Sequence, residues 1–505
     1  MIFQSDFIHN FPLFMIILCL LSAVSAFIVP GKGSRIVTIV LTCVCIAMNA
    51  SVLAHNFITG ESFTFMMGHY PAPFGNEVAA GIMEPFFATL FGVVILCSAL
   101  GGTGRIERDT KYGKRHLYYG MIDLTQVALY ALCYTNDIFS AYVFIEVCTL
   151  ASCALLMIRE SGKALVAATR YMIFALIGSG LFLIGIILMY DMTGHLLFPQ
   201  LRETIAAVWA SGEYKVPFTL MVALIVSGLA IKSGLFPFHF WMPDTYGTAT
   251  PASAGILSGV VSKGYIFLLI KVIYKVIGHD VFMSTGAQNI LFIFGVGGMI
   301  IGSLQAIRSK TINQMTSFSS AAQIGYIYMG IGMGTSAALI AVFFHICAHA
   351  ITKPLLFMSA GALYDVSDRK WDFYSLRGSG HRNPLAGFAF LVGCLSMIGF
   401  PIFTGFISKM YFAISAFDFR LKTAVVLCAL AISTILNVIY FMYTAVNLFK
   451  GSPDEVHRTH FTAQRSFAVA AIILVAVNIY IGLQPQPFTD LFEMGINMLM
   501  GGMGK

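Results

Sequence analysis

The sequence predicts an all-α polytopic membrane protein of about 14 transmembrane helices, with two inverted five-helix repeats and breaks in helices 7 and 12. Three observations carry this. Of 505 residues, 58% are hydrophobic and only 10% charged, with mean hydropathy +0.83. A soluble chain of this size carries roughly 25% charge, so most of the chain belongs in lipid. Apolar stretches of spanning length recur from end to end, and two of them are interrupted in the same way.

A helix that crosses the bilayer needs about 20 mostly apolar residues. Such stretches lie near 11–30, 36–57, 78–100, 116–135, 138–158, 164–190, 216–240 and 249–277. The second half adds 286–306, 316–332, 335–363, 384–417, 421–449 and 464–485. The first follows Asp6 and His9 instead of a basic segment, which argues against a signal peptide. Residues 58–76, with Pro71 and Pro73, suit a small extracellular hairpin, and the apolar tail after Pro487 suits the membrane interface. The pattern divides into an N-terminal three-helix segment (1–110), a first repeat (111–280), an inverted second repeat (281–450), and a C-terminal helix and tail (451–505).

The net charge of +7 does not point to nucleic acid, because the basic residues are placed asymmetrically, concentrated in every second loop. Lys32 and Arg35, the run Arg105 to Arg115, Arg159 and Lys163 begin the series. Arg308 and Lys310, Arg369 to Arg382, and Lys450, Arg458 and Arg465 continue it. The opposite loops hold only Arg202, Lys215, Lys275, Arg420 and Lys422, with Lys505 in the tail. By the positive-inside rule the rich side is cytoplasmic, which predicts an inner-membrane protein with both termini on the outer face. All 10 cysteines fall in predicted spans without a C-x-x-C pair, so they read as small packing residues and iron–sulfur ligation is not expected.

The breaks read AIKSGLFPFHFWMPD (230–244) and GFPIFTGFISKM (399–410), each placing Gly and Pro beside a lysine. Proline removes a backbone hydrogen bond, which lipid cannot replace. The two lie an odd number of spans apart and so run in opposite directions, the pattern of an ion site near the midplane. Five charged residues sit well inside spans: Glu146, Lys232, Lys263, Lys353 and Lys409. At roughly 2.5–3.5 kcal/mol each, they require internal partners or water. Glu146, read as the only carboxylate near the middle of a span, pairs naturally with Lys232. His345, His349 and Lys353 are spaced i, i+4, i+8 and share one helix face, which suits a proton relay. Each has a plainer reading as a structural polar group; His239, an accessory candidate, and Asp244 could simply meet the interface. Glu84, Arg170 and Lys271 read as boundary or snorkelling residues, and Gly298 and Gly302 as helix packing. No P-loop, Rossmann glycine pattern or H-E-x-x-H motif is present, and no cysteine cluster accompanies His345 and His349; haem ligation by one of these histidines stays open without special support.

At these residues the chain resembles the antiporter-like family shared by respiratory complex I, Mrp-type sodium/proton antiporters and membrane-bound energy-converting hydrogenases. The resemblance covers residues 70–450 and rests on several motifs in order. They are DIFSAYVFIEV (137–147), ATRYMIFALIGSGLFLIG (168–185), the first break, SFSSAAQIGYI (317–327), the His–His–Lys stripe and the second break. It implies a proton path in which Glu146 tunes Lys232, Lys263 and His345, His349 and Lys353 relay, and Lys409 is the exit. Lys409 and the absence of extra spans favour the D-type chain of Mrp antiporters and its hydrogenase relatives; TINQMT (311–316) departs from the usual basic stretch. The expected partners are other membrane subunits, H+ and, in the exchanging form, Na+, within an ion-translocating complex. No cofactor or metal is expected in this chain. The competing readings are a self-sufficient Na+/H+ antiporter and a quinone- or haem-binding redox subunit.

Overall fold

The computed structural model describes residues 5–70, 75–418, 422–451 and 465–500, and nearly all of this is helix. Pro71, Pro73, Arg420, Arg458 and Lys505 lie outside the described residues. The N-terminal helices are α1 (Phe11–Ser25), α2 (Gly31–Thr59) and α3 (Met83–Gly101). Then come α4 (Arg115–Tyr134), α5 (Ile138–Met157), α6 (Gly162–Thr193), α7 (Lys215–Ser233), α8 (Met242–Thr248) and α9 (Pro251–Ile277). The second half comprises α10 (Ala287–Ile307), α11 (Ile312–Met333), α12 (Ser336–Asp365), α13 (Pro384–Ile398), α14 (Thr404–Ser415) and α15 (Thr423–Phe449). It closes with α16 (Arg465–Leu483) and the amphipathic α17 (Gln486–Leu499). The only sheet among the described residues joins β1 (Phe63–Met66) to β2 (Glu77–Ala80) in antiparallel register, so strands do flank the hairpin expected between α2 and α3.

Local chemistry sets the helix ends. The side chains of Asp137, Ser161, Thr311, Thr335 and Asn383 accept the free N–H groups of the turns they start. Gly60, Gly194, Gly334 and other glycines in the left-handed region close them. Among the described residues, ten helical segments are long and apolar enough to cross a membrane, and α1 and α13 are shorter apolar helices. The chain is therefore a polytopic helical membrane protein.

Two of the ten differ from the rest. Membrane-length windows of α9 and α12 are each 100% buried, whereas in α6, α15 and α16 the share is 39%. Small residues permit this packing: Gly255 and Gly259 of α9 lie against Pro354 of α12, where a side chain would not fit without displacement. Gly298 and Gly302 likewise bring α10 against Gly325 and Ala322 of α11, as expected for a packing pair.

Both expected breaks are present and are built alike. α7 ends at Gly234 (φ +81°), whose N–H donates to the carbonyls of Ala230 and Ile231, while Leu235 N–H donates to Ala230. α13 ends at Gly399 (φ +92°), whose N–H donates to Leu395 and Ser396, while Phe400 N–H donates to Leu395. Other helices satisfy what the breaks expose. Ser233 hydrogen-bonds Tyr328 of α11 at 2.6 Å. At the second break Asn478 of α16 accepts from Thr404 N–H (3.1 Å) and from Ser396 Oγ (3.0 Å), and donates to Thr352 Oγ1 (3.0 Å).

Loops assigned to one side by their basic residues do meet in space. Arg35 pairs with Glu107 at 2.9 Å, and Arg105 with Asp109 (3.0 Å) and Asp365 (2.8 Å). Lys111 and Lys114 both bind Glu160 and hold its carboxyl down at about 2.

Because Asn478 has several buried partners, Asn478→Leu should destabilise the chain by about 2–4 kcal/mol. Arg108→Ala, at an exposed guanidinium, should change stability by less than about 0.5 kcal/mol. Thermal unfolding in detergent measures both. An Asn478→Leu chain as stable as the parent would mean that the broken backbone is satisfied elsewhere.

Candidate functional site: a buried file of ionisable residues

The site is built where α9, α11 and α12 meet at the centre of the molecule. Lys263 is wholly buried on α9, just after a π-helical segment (Leu257–Val261), and donates to Ser258 O and to Ser262 Oγ (3.0 Å). Such turns, which widen the helix and loosen its backbone bonding, are frequent at functional sites. On α12, Lys353 donates to Thr316 O (3.0 Å) and to Ser319 Oγ of α11. The two lysines are joined through α11, because Ser258 Oγ and Ser320 Oγ lie 2.9 Å apart and Ser320 Oγ donates to Thr316 O at 3.0 Å.

His349 and His345 continue the α12 face one and two turns from Lys353. Both are buried, and neither ring nitrogen of His349 has a hydrogen-bond partner among the described residues. Gln323 of α11 is likewise buried with both side-chain polar atoms unpaired. Buried polar atoms left unpaired by protein are the sites that ordered water serves. His345 hydrogen-bonds Ser408 of α14 at 2.9 Å and stacks on Tyr326, with ring centroids 5.0 Å apart. The ammonium of Lys409 lies 5.3 Å from the centroid of the same Tyr326 ring. Lys409 also donates to Ile398 O (2.6 Å), the carbonyl that ends α13, and to Thr434 Oγ1 (3.3 Å). A helix C-terminus carries partial negative charge, so this end of the break holds the lysine.

The Glu146–Lys232 pair forms a separate part of the site. Lys232 is buried, whereas the Glu146 side chain is 25% exposed at the edge of the chain. Their charged atoms are 3.6 Å apart, near enough for attraction but beyond a hydrogen bond, and Lys232 instead donates to Thr149 Oγ1 at 2.7 Å. The ring centroid of Tyr265, two residues after Lys263 on α9, lies 5.6 Å from the Lys232 ammonium. No direct hydrogen bond joins Lys232 to Lys263 among the described residues. His239 lies off the file, buried and bonded to Gln305 of α10 at 2.7 Å.

Three expectations need correction. Glu146 is not the only carboxylate inside a span: Asp123 lies midway along α4 and is 1% exposed. Glu84 and Lys271 do not snorkel, since both are fully buried. Lys271 donates to the carbonyls of Cys133 and Thr135, each at 2.7 Å, and Glu84 pairs with Lys275 at 2.6 Å. Hydropathy placed these residues near span ends, but neighbouring helices cover them. Arg170 is exposed and paired with Asp244.

Two sets of site residues were not singled out from sequence. Thr149, three residues after Glu146, shares its helix face, and that spacing was an available signal. On α11, Thr316, Ser320 and Gln323 recur at helical spacing opposite Lys353, His349 and His345, but being uncharged they leave hydropathy unmarked.

Fold and site together define a membrane protein with a buried, proton-exchangeable file at its centre. The sequence family described as NADH:quinone oxidoreductase/Mrp antiporter, transmembrane, matches residues 135–435, and the chain belongs to it. The N subunit of the NADH-quinone oxidoreductase of Desulforudis audaxviator is 29% identical over 413 residues, covering 81% of this chain and 80% of that one. The D subunit of the Na(+)/H(+) antiporter of Alkalihalophilus pseudofirmus is 27% identical over 431 residues, covering 83% of each. A chain in the structure of the Mrp complex from Dietzia sp. DQ12-45-1b superposes with a TM-score of 0.88 at 21% identity, covering 99% of this chain and 98% of that one.

Since His349 bonds to no described residue, His349→Met should leave stability within about 1 kcal/mol of the parent. Thermal unfolding checks this; a loss above about 3 kcal/mol would mark the imidazole as a structural anchor.

Proposed function

We propose that this chain is a proton-translocating, antiporter-like subunit of a larger membrane complex. Family membership supports this, as do relatives that are named as subunits of NADH-quinone oxidoreductases and Na(+)/H(+) antiporters. The observation that carries the reading is the buried link from Lys263 through Ser258, Ser320 and Thr316 to Lys353. It lies on two central helices shielded from lipid, with His349 and His345 leading on toward Lys409.

In this mechanism protons step among Lys232, Lys263, His349, Lys353 and Lys409, with water bridging the unpaired groups, and His345 completes the relay beside Tyr326. Glu146 is the control element. It sits at the edge of the chain, where a charge on a neighbouring subunit reaches it first, and its distance from Lys232 sets how firmly that lysine holds its proton. The looseness of the pair and the alternative partner Thr149 support two positions for the ammonium. His239, bonded to Gln305 beside the first break, is an accessory polar group. The chain itself supplies no redox centre in this reading and works with a redox module or antiporter partners.

The same reading assigns 14 spans, by adding α1, α4, α11 and the α13–α14 pair to the ten long apolar segments. Residues 111–280 and 281–450 form inverted repeats, flanked by 1–110 and 451–505; the matching hydrogen bonds at Gly234 and Gly399 support this. The joined basic loops face the cytoplasm, which puts both termini outside the cell membrane.

Lys232→Ala and Glu146→Ala should each reduce proton translocation by the intact complex to background while assembly on native gels is unchanged. Thr149→Val should give a partial loss. Full pumping by both alanine variants would falsify the mechanism. The purified chain alone in liposomes should not exchange Na+ for H+ at the rate of the complex; equal rates would favour a self-sufficient antiporter.

A further inference from the structure

A second buried polar file runs beside the central one. The stripe of α2 that faces the protein is polar almost throughout: Ser34, Thr38, Thr42, Cys45, Asn49 and Asn56 are all buried. From Ser34 to Asn56 the rise is about 33 Å at 1.5 Å per residue, the thickness of a bilayer core. The facing helix α4 answers with Asp123, Gln126, Tyr130 and Tyr134, also on one face. Thr42 donates to Gln126 (2.9 Å), Gln126 to Tyr130 (3.2 Å) and Tyr134 to Asn49 (2.6 Å). At one end Tyr119, a turn before Asp123, has a buried unpaired hydroxyl, near the Arg35–Glu107 pair of the basic loops. At the other, Asn56 donates to Gly81 O at 2.6 Å, and Gly81 N–H binds Glu84, the partner of Lys275.

Asp123 is the one carboxyl inside this file. Its Oδ2 accepts from Ser22 Oγ (2.6 Å) and Thr38 Oγ1 (2.9 Å), whereas Oδ1 is buried with no partner. No salt bridge reaches it among the described residues. The thiol of Cys19 on α1 faces it, 3.5 Å from the thiol of Cys45 on α2, and the phenols of Tyr119 and Tyr130 lie one turn before it and two turns after it on α4 itself. Glu84 and Lys271, from α3 and α9, approach α4 at its far end, beside Cys133. A bare carboxylate at membrane depth is costly, and structural glue alone would be served by an asparagine. Oδ1, which has no protein partner, and the oxygens of Ser22 and Thr38, whose hydroxyls donate to the neighbouring Oδ2, are hard oxygen donors of the kind that a small cation takes.

We propose that Asp123, Ser22 and Thr38 form a binding site for one monovalent cation, H+ or Na+, reached from the basic-loop side past Tyr119. The site lies off the lysine–histidine axis and does not depend on its transport role.

The test is labelling of the intact complex in native membranes with N,N′-dicyclohexylcarbodiimide, which modifies protonated carboxyls in apolar surroundings, with Asp123 followed by peptide mass spectrometry. Asp123→Asn supplies the control that assigns the label. Labelling of Asp123 should fall with rising pH, by about tenfold per unit once the carboxyl titrates. Replacing choline chloride with NaCl at constant pH and ionic strength separates the two ions. Protection by NaCl identifies a Na+ site, and pH dependence without protection identifies a proton site. Labelling that responds to neither, or no labelling of Asp123 at any pH, would overturn the proposal.

Discussion

Lipid offers no hydrogen-bond partner, and this constraint organises the molecule. Every backbone group freed by a break, and every ammonium or imidazole at membrane depth, must be met by another part of the chain or by water. The two breaks show how. Gly234 and Gly399 turn the chain in the left-handed region and recover the same carbonyl bonds. Asn478 arrives from a distant helix to bind Thr404 N–H, and Lys409 folds back on Ile398 O. An interruption that would otherwise be unstable thereby becomes a place to hold a charge.

The same constraint explains why the file lies on α9 and α12. Surrounding helices remove both from lipid, which lets them carry Lys263, Lys271, His345, His349 and Lys353 without exposing charge to hydrocarbon. Close packing of Gly255 and Gly259 on Pro354 fixes the two helices against each other, and the hydroxyls of α11 line the seam. Against these close-packed walls His349 and Gln323 keep buried polar atoms that no described residue pairs, the kind of atom that ordered water serves. The Glu146–Lys232 pair is looser, at 3.6 Å, and Glu146 is partly exposed.

Much of this was legible in the chain. Apolar length marked the helices, and Gly and Pro beside lysine marked the breaks at 234–237 and 399–401. The five charges within apolar stretches announced themselves because each is an outlier in its run. What hydropathy could not supply was rotational information. Asp123 escapes notice because α4 is more polar than its neighbours, so one carboxylate in it stands out less. Glu84 and Lys271 look terminal because distance along a helix does not reveal what covers it.

The sequence by itself determined that charges lie in lipid-spanning helices, and which residues they are, because hydropathy and helix-capping chemistry are local. Only the tertiary structure decided their partners. That Ser258 of α9 meets Ser320 of α11, that Lys232 bonds Thr149 and stands 3.6 Å from Glu146, and that His345 and Lys409 both lie against Tyr326 depend on how helices distant in sequence rotate and cross. Those angles are set by the packing of many small side chains at once, and no single segment encodes them.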